Sequence, residues 1–249
     1  MNQTTILFTH IPKTGGTSIK KSLIVSQDIE KYRFKGFASI FLKDFGNIAF
    51  LEGHYPYGVH HFLRNSNRKY YFVILREPLE RAVSYYHFVR QCDTLHYRHP
   101  NLEDVKRYSI GEFYKHEKYK NIQTKFIAGF PCNKISKILP RKTAERTILK
   151  YAKKNLKFNY NFFGLLENID FCQAILSKEL NLSNFKVKDL SKVTQNRPKL
   201  EDLDQKSRDV ILEANLLDFE LYNYAKKVFC KRYKTELFPS IEKTLNQNF

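Results

Sequence analysis

The stretch Ile6–Ser18, ILFTHIPKTGGTS, decides which fold this sequence can adopt. Its apolar start belongs to TTILFT (4–9), a β-branched and aromatic run that is typical of a buried strand. After the loop, Ile19 and Leu23 stand four residues apart, which predicts a helix over 17–25. The paired glycines therefore lie at a strand–loop–helix junction.

The loop at this junction is suited to holding a phosphate group. Adjacent glycines let the backbone turn tightly and approach a ligand, and unpaired amides at the start of a helix bind anions with the help of the helix dipole. Hydroxyl side chains add donors, and a lysine adds a cation. The residues predicted to hold phosphate are Lys13, Thr14, Gly15, Gly16, Thr17 and Ser18. For this motif alone, the alternative is an ordinary β–α turn in which glycine serves packing.

The loop differs from the Walker A pattern of P-loop nucleotidases. That pattern, GxxxxGK[ST], places its lysine after the second glycine and a hydroxyl residue next for magnesium. Here Lys13 precedes Gly15, and the stretch 8–11 supplies no earlier glycine. The loop therefore implies no metal of its own, and a P-loop kinase is the less favoured alternative.

A second constellation, LREPLERAVSYY (75–86), follows the apolar strand candidate YYFVIL (70–75). Arg76 stands where that strand ends, so we expect it at the carboxyl edge of the sheet, where open α/β sheets bind ligands. Ser84 lies about two turns into the next helix, and an arginine and a serine so placed can grip one phosphate. Two phosphate grips imply a ligand with phosphates at two ends, such as a nucleotide with a 5′-phosphosulfate and a 3′-phosphate.

Strand and helix signals alternate along the rest of the chain. NFFGLLE (161–167) is typical of a third strand followed by a helix, and 200–229 is mostly helical in pattern. The alternation predicts an α/β fold, P-loop-like, with three α/β/α layers around a central mainly parallel sheet and a helical C-terminal part. A mixed sheet with a helical cap is the alternative. We expect one domain over 1–249, in which 90–120 forms a lid or substrate-binding insertion.

The charge of the chain favours anionic partners. Lysine and arginine number 43 against 25 acidic residues, so the formal net charge is +18, which attracts acidic polysaccharides, nucleotides, nucleic acids or anionic membranes. The basic residues are dispersed along the sequence without a nucleic-acid-binding motif, so a nucleic-acid-binding module is a weaker alternative. No apolar run approaches the roughly 20 residues of a membrane-spanning helix, and the first strand candidate begins at Thr4, too early for a signal peptide to precede it. We therefore expect a cytoplasmic protein without a transmembrane segment.

Together, the two motifs resemble those that bind the 5′-phosphosulfate and the 3′-phosphate in sulfotransferases that use 3′-phosphoadenosine 5′-phosphosulfate (PAPS). The resemblance is strongest to the branch of heparan sulfate 2-O-sulfotransferase and its bacterial relatives. It continues in family order through GHYPYG (53–58), NIQTKFIAG (121–129), FGLLENID (163–170) and NLLDFELYNYAKKVF (215–229). It implies in-line transfer of the sulfuryl group of PAPS to a hydroxyl of an acceptor, in particular a carbohydrate, without a metal.

The resemblance also implies roles on the PAPS side of the site. Lys13 would contact the oxygen that bridges phosphate and sulfate, where negative charge grows as the S–O bond breaks. The rest of the loop would hold the 5′-phosphate, and Arg76 with Ser84 the 3′-phosphate. The stretch KVTQNRPK is similar to the family's C-terminal cofactor loop, in which Asn196 and Arg197 are further candidates.

On the acceptor side, the resemblance implies a histidine base. The His-Gly-His segment of the 2-O-sulfotransferase branch is EGH here, so His54 matches its second histidine and Glu52 replaces the first. Glu52 either orients His54 or serves as the base itself, and a histidine suits proton transfer near neutral pH. The candidates for acceptor contacts are His60, Asp93 and Arg98. The expected partner is a carbohydrate or another hydroxyl acceptor, acidic glycans included, and the sequence leaves the oligomeric state open.

Overall fold

The computed structural model of the chain describes residues 4–26, 31–33, 50–63, 68–94, 97–130, 132–182, 185–187 and 198–233. Within these residues the strands are β1 (Thr4–Thr9), β2 (Lys31–Arg33), β3 (Phe50–Gly53), β4 (Arg68–Leu75), β5 (Asp93–Thr94), β6 (Tyr97–Arg98) and β7 (Phe162–Leu165). The α-helices are α1 (Gly16–Ser26), α2 (Pro78–Gln91), α3 (Leu102–Arg107), α4 (Ile110–Lys115), α5 (Ile122–Ala128), α6 (Cys132–Ile138), α7 (Arg141–Phe158), α8 (Ile169–Glu179), α9 (Gln205–Ala214) and α10 (Leu216–Tyr233). Short 3₁₀ helices lie at Val59–Phe62, Glu117–Tyr119, Leu166–Asn168 and Leu200–Asp202.

Five of the strands form one parallel sheet in the order β2-β3-β1-β4-β7. β1 lies at its centre, where it pairs with β3 on one side and β4 on the other. β5 and β6 make a separate antiparallel hairpin. The predicted α/β fold with a central parallel sheet is confirmed, and the alternative of a mixed sheet does not hold for these five strands.

Two strands of the sheet have no clear signal in the sequence. β2 has three residues, two of them basic, so it is too short and too polar to show a strand pattern. β3 has the sequence FLEG, and all four residues are buried. Glu52 interrupts the apolar run that would predict an interior strand, and its burial is tolerated because it is paired, as described below.

The parallel register brings three strand ends to one edge of the sheet. Thr9 of β1 is level with Gly53 of β3 and with Val73 of β4, and the amide of His10 donates to the Gly53 carbonyl at 3.0 Å. The residues that follow β1, β3 and β4 therefore meet at the carboxyl edge. That edge carries the candidate site.

Helices cover the sheet, whose strands β1, β3, β4 and β7 are almost entirely buried. Because successive side chains of a strand point to opposite faces, both faces of these strands belong to the apolar core. The longest helices, α7 and α10, have 18 residues each. No helix in the described part of the chain is long and apolar enough to cross a membrane.

The segment 97–120 packs against α2. Its Leu102 and Phe113 form a second apolar cluster with Val83 and Tyr86 of α2. The segment contains two helices of six residues each, α3 and α4, which are too short to give a clear helical period in the sequence. Its action as a lid over an acceptor stays a prediction.

Candidate active site

The phosphate loop, residues 10–15, connects β1 to α1. Lys13 and Gly15 have φ angles of 68° and 74°, in the left-handed region that glycine adopts freely and lysine adopts at a cost. Gly16 opens α1, and a Cβ atom on it would lie 2.2 Å from Cδ2 of His10. A glycine is therefore required for the His10 ring and the first turn of α1 to approach each other this closely.

Two of the predicted hydroxyl residues, Thr14 and Ser18, are buried at the start of α1. Thr14 is buried, and its Oγ1 donates to the Ile11 carbonyl at 3.0 Å. Ser18 is also buried, and its amide donates to the Gly15 carbonyl at 3.1 Å. The Ile19 amide also donates to the Gly15 carbonyl, whereas the amides of Gly16 and Thr17 precede the first hydrogen bond of α1. Together with the helix dipole, these two amides can bind an anion.

Arg76 joins the phosphate loop to α2. Its Nη1 donates to the Lys13 carbonyl at 3.3 Å, and its Nη2 lies 2.8 Å from Oε2 of Glu80 in the first turn of α2. Gln123 holds the Arg76 backbone in place, with Oε1 accepting from the amide at 3.0 Å and Nε2 donating to the carbonyl at 2.9 Å. The structure thus brings the two predicted phosphate motifs into direct contact.

Lys13 turns toward the helix that carries Ser84. Its Nζ lies 4.3 Å from the centroid of the Phe88 ring, a cation–π distance. Phe88 comes four residues after Ser84, so both lie on one face of α2, where Ser84 is buried. The lysine of the first motif therefore contacts the face of α2 that carries the serine of the second. The other two cofactor candidates, Asn196 and Arg197, lie outside the described residues.

His54 follows β3 at the same edge of the sheet, next to His10. Its Nδ1 lies 2.6 Å from the His10 carbonyl oxygen. Since a carbonyl can only accept, Nδ1 carries the proton and Nε2 is the basic nitrogen of the neutral ring. The centroids of the two histidine rings are 4.6 Å apart, and His54 is exposed. This geometry suits a base that takes a proton from a substrate arriving from solvent.

Glu52 is buried next to His10, with only 1% of its surface exposed. Its Oε1 lies 3.0 Å from Nζ of Lys20 on α1, and its Oε2 lies 3.5 Å from Nδ1 of His10. Burial opposes ionisation of Glu52, but hydrogen bonds from His10 and Lys20 outweigh it and lower its pKa to about 2. A carboxylate with so low a pKa is a weak base near neutral pH. The low pKa therefore disfavours Glu52 as the base, and its contacts are to His10 and Lys20, while the His10 carbonyl holds Nδ1 of His54. The predicted role of Glu52 in orienting His54 stays a prediction.

Asp93 and Arg98 face each other across the β5–β6 hairpin, and both are exposed. Asp93 pairs with Lys106 at 2.6 Å, and Arg98 pairs with Glu103. The hydrogen bond from Lys106 holds the pKa of Asp93 below its usual value. The two predicted acceptor residues thus form one charged hairpin, separate from the phosphate loop.

This hairpin approaches the phosphate side of the site through one aromatic ring. It directly follows α2, and the centroids of the Phe88 and His99 rings are 6.2 Å apart. The ammonium of Lys13 lies over the same Phe88 ring. An acceptor held by the hairpin would therefore lie on the Lys13 side of α2.

His60 is placed away from the other candidates. Its Nδ1 lies 3.2 Å from the hydroxyl of Tyr71 in β4, and Arg76 stands five residues, about 16 Å of extended chain, beyond Tyr71. Burial, with smaller contributions from His61 and Lys69, lowers the pKa of His60 to about 4. The structure therefore sets His60 against the side of the sheet and does not bring it to the carboxyl edge.

Sequence reasoning misses three residues that the structure places in the site: His10, Lys20 and Gln123. His10 has a usable signal, because it follows β1 in the same way that Arg76 follows β4. Lys20 and Gln123 have none, since Lys20 meets Glu52 across 32 residues of sequence and Gln123 meets Arg76 across 47.

Comparison with known proteins agrees with this arrangement of motifs. The family model described as the sulfotransferase family matches residues 2–225 of the chain. The chain belongs to the sulfotransferase family. The family predicted from the two phosphate motifs is thereby confirmed.

Several curated relatives of this sulfotransferase are heparan-sulfate 6-O-sulfotransferases. The chain is 28% identical to heparan-sulfate 6-O-sulfotransferase 2 of Gallus gallus over 193 aligned residues. The aligned region covers 69% of this chain and 47% of the relative. The same enzyme of Homo sapiens is 28% identical over 193 residues, 69% of this chain and 31% of the relative. Heparan-sulfate 6-O-sulfotransferase 3 of Mus musculus is 30% identical over 187 residues, 66% of this chain and 38% of the relative. The chain thus spans less than half the length of these relatives, and the comparisons do not resolve the 2-O from the 6-O branch.

Proposed function

We propose that this chain is a PAPS-dependent enzyme that transfers a sulfuryl group to a carbohydrate hydroxyl by in-line displacement. The observation that carries the proposal is the hydrogen bond from Arg76 to the Lys13 carbonyl, which joins the two phosphate motifs at the start of α1. A nucleotide with phosphates at its 5′ and 3′ ends needs cations and amides at two neighbouring points. The relatives, named as heparan-sulfate sulfotransferases, support a carbohydrate as the acceptor.

The residues of the site fit PAPS in charge and in donor chemistry. The site offers the Lys13 ammonium, the Arg76 guanidinium and the first-turn amides of α1, all of which suit anionic oxygens. The start of α1 would hold the 5′-phosphate, and Arg76 with Ser84 the 3′-phosphate. Bound PAPS supplies the sulfuryl group. Lys13 would stabilise the negative charge that develops at the bond that breaks.

His54 is the proposed base. Its Nε2 takes the proton of the acceptor hydroxyl, while its Nδ1–H stays bonded to the His10 carbonyl and keeps the ring in one orientation. The ring becomes a cation when it accepts the proton. Glu52, which is ionised and contacts His10, adds a negative charge on that side of the site. We therefore assign Glu52 and His10 to positioning the base.

Thermal denaturation with candidate ligands tests the donor. Adenosine 3′,5′-bisphosphate is expected to raise the Tm, because a ligand that binds only the native state stabilises it, by about 2.7 kcal/mol at 100 times its Kd. ATP with magnesium is expected to give a much smaller shift. A large shift with ATP and magnesium, and none with the bisphosphate, would contradict the proposal and favour a P-loop kinase.

Replacing Arg76 by alanine tests the 3′-phosphate grip. The Kd for adenosine 3′,5′-bisphosphate is expected to rise by about 10- to 100-fold, the equivalent of one charge-assisted contact. The Kd for adenosine 5′-phosphate should change far less, and calorimetry measures both. Arg90→Ala, at the exposed far end of α2, is the matched control for lost charge. Equal losses for the two nucleotides would show that Arg76 does not hold the 3′-phosphate.

Replacing Glu52 by glutamine tests the buried carboxylate. Since its pKa falls from the ordinary 4.5 to about 2 in the folded chain, the unfolded chain binds the proton more readily. Glu52 therefore stabilises the fold above about pH 4.5, and this contribution is lost as the pH falls toward 2. At neutral pH, Glu52→Gln should lower the free energy of unfolding, because the half-buried ammonium of Lys20 loses its charged partner.

Urea denaturation from about pH 6 down to about pH 3 measures this effect. The wild-type chain should lose more free energy of unfolding over this range than Glu52→Gln does. Glu213→Gln, which removes an exposed carboxylate from α9, should behave as wild type. The same acid loss in all three proteins would contradict the assignment of a lowered pKa to Glu52.

Labelled PAPS identifies the acceptor and the branch. The resemblance of the motifs is to the 2-O-sulfotransferase branch, from which EGH departs at Glu52, whereas the relatives found are 6-O-sulfotransferases. Transfer of labelled sulfate to chemically desulfated heparin, followed by mapping of the product disaccharides, decides between the two positions. Label on a small hydroxyl compound, with none on the polysaccharide, would assign another acceptor class.

A further inference from the structure

Helix α7 carries positive charge that the described part of the chain does not neutralise. It has seven basic residues and one acidic residue, a net charge of 7 − 1 = +6. Two of the basic side chains are paired, Arg141 with Glu145 and Lys153 with Glu220. The other five are exposed and form no ion pair among the described residues; we call them the α7 basic row: Lys142, Arg146, Lys150, Lys154 and Lys157.

The α7 basic row forms one elongated strip of positive charge on the helix surface. With 3.6 residues per turn, its five side chains fall within an arc of about 120° on the helix surface. With a rise of 1.5 Å per residue, the row from Lys142 to Lys157 is about 22 Å long. Such a strip matches an extended polymer with repeated negative charges better than a small anion, which would contact one or two of these residues.

The spacing of the charges in the row is unfavourable for the helix itself. Lys142 and Arg146, Arg146 and Lys150, and Lys150 and Lys154 are like-charge pairs at spacing i,i+4. Each such pair destabilises a helix by about 0.2–0.5 kcal/mol. The opposite side of α7 packs through apolar residues such as Ile148, which do not depend on the row. A surface that costs stability and serves no packing indicates a binding role.

The ends of α7 relate the row to the transfer site. Arg141, at the start of α7, interacts electrostatically with Glu117, which shortly precedes α5. The second residue of α5 is Gln123, which holds the Arg76 backbone. Through Arg141, the start of the row is thus linked to the segment that leads into α5. At its other end, the Lys157 carbonyl accepts from Arg232 at 3.0 Å, near the start of β7.

Exposed aromatic rings flank the row. Tyr151 and Phe158 are 42% and 68% exposed, and both lie along one border of the row. Exposed lysines on the preceding helix, Lys134 and Lys137, add to the charge at the N-terminal side. The apolar side of α7 is buried in the core of the chain, so this helix cannot sink into a membrane surface as a peripheral amphipathic helix does.

We propose that the α7 basic row binds an acidic polysaccharide, the polymeric acceptor of the transfer reaction, outside the transfer site itself. This inference rests on the proposed function, because the polymer that binds to the row is the same carbohydrate whose hydroxyl group accepts the sulfuryl group at the carboxyl edge of the sheet. Sulfate or carboxylate groups spaced along the polymer meet the five cations in turn. Short acceptors that fill only the transfer site do not use the row.

The triple variant Arg146→Ala, Lys150→Ala and Lys154→Ala tests the row in the full chain. Alanine is the best helix former and the change removes like-charge pairs, so the Tm should equal or exceed that of the wild type. With heparin as the probe, the Kd at about 0.1 M salt is expected to rise about tenfold or more, and the slope of log K against log salt should fall by about 2. Lys115→Ala, Lys178→Ala and Lys206→Ala, which remove three exposed charges elsewhere, form the matched control.

Activity gives a second readout. In the row variant, the KM for long desulfated heparin should rise about tenfold, while kcat/KM for a desulfated tetrasaccharide stays at the wild-type value. Equal losses of heparin affinity in the row variant and the control would overturn the proposal, because net charge would then explain both. Unchanged heparin affinity with weakened binding of anionic vesicles or single-stranded RNA would also overturn it. Since heparin binding is measured without PAPS, a failure of sulfuryl transfer with every acceptor leaves this test intact.

Discussion

Replacing His54 by alanine is expected to lower kcat for sulfuryl transfer by about 10²- to 10⁴-fold, the usual contribution of a general base. The Nδ1–H of His54 is bound to the His10 carbonyl at 2.6 Å, so the variant loses a nitrogen base, Nε2, that is already in a fixed orientation. The Kd for adenosine 3′,5′-bisphosphate and the Tm should stay near the wild-type values, because His54 is exposed and lies outside the phosphate loop. Initial rates at saturating PAPS, with calorimetry of the bisphosphate, measure both.

His61→Ala is the matched control for the loss of an exposed histidine. His61 lies on the 3₁₀ turn Val59–Phe62, next to His60, and is exposed like His54. The His61→Ala variant should retain wild-type turnover. Full turnover in His54→Ala would show that His54 is not the base.

The strands that form the centre of the fold are predictable because they are uninterrupted apolar runs. β1 and β4 are buried over nearly their whole length, so their sequences show the continuous pattern of interior parallel strands. β3 is equally buried, but Glu52 occupies one of its four positions. A carboxylate in the core is stable only when it is paired, here with Lys20 and His10. That pairing depends on contacts between distant parts of the chain.

The site residues, like the strands, are predictable where their position depends on local sequence and are not predictable where it depends on contacts with distant parts of the chain. Arg76 is predictable because a residue at the end of a parallel strand must lie at the carboxyl edge. The position of His60 is not predictable in this way. It is only six residues from His54, yet its ring is hydrogen-bonded to the hydroxyl of Tyr71 in β4.

Charge is the property that the linear sequence describes least well. The basic residues of 141–158 look dispersed when they are read in order, because polar and apolar residues alternate with them. The helix places every fourth residue on one face, and five of these cations become the α7 basic row. A charge pattern therefore needs a secondary structure before it indicates a partner, even where the net charge of +18 already favours anions.

Removing the ammonium of Lys13 is the second change with a large expected effect. Lys13→Ala should lower kcat by about 10²- to 10³-fold, as the loss of one preorganised group at a developing negative charge does. Its Nζ is held 4.3 Å from the Phe88 ring, between the phosphate loop and α2. Phe88→Leu, which keeps the lysine and removes its aromatic partner, should cost much less activity. Comparable losses in the two variants would assign the effect to the packing of α2.

The backbone of Lys13 allows a sharper separation of charge from conformation. Its φ of 68° is left-handed, which costs an L-residue about 1–2 kcal/mol, whereas glycine adopts it freely and loses about 0.5–1 kcal/mol more conformational entropy on folding. Because the strain relieved is at least as large as the added entropy cost, Lys13→Gly should be at least as stable as the wild type, and it should be as inactive as Lys13→Ala. Initial rates and urea denaturation of both variants measure the two properties together. If Lys13→Gly kept wild-type turnover while Lys13→Ala lost it, the conformation of the loop, and not the ammonium, would be what transfer requires.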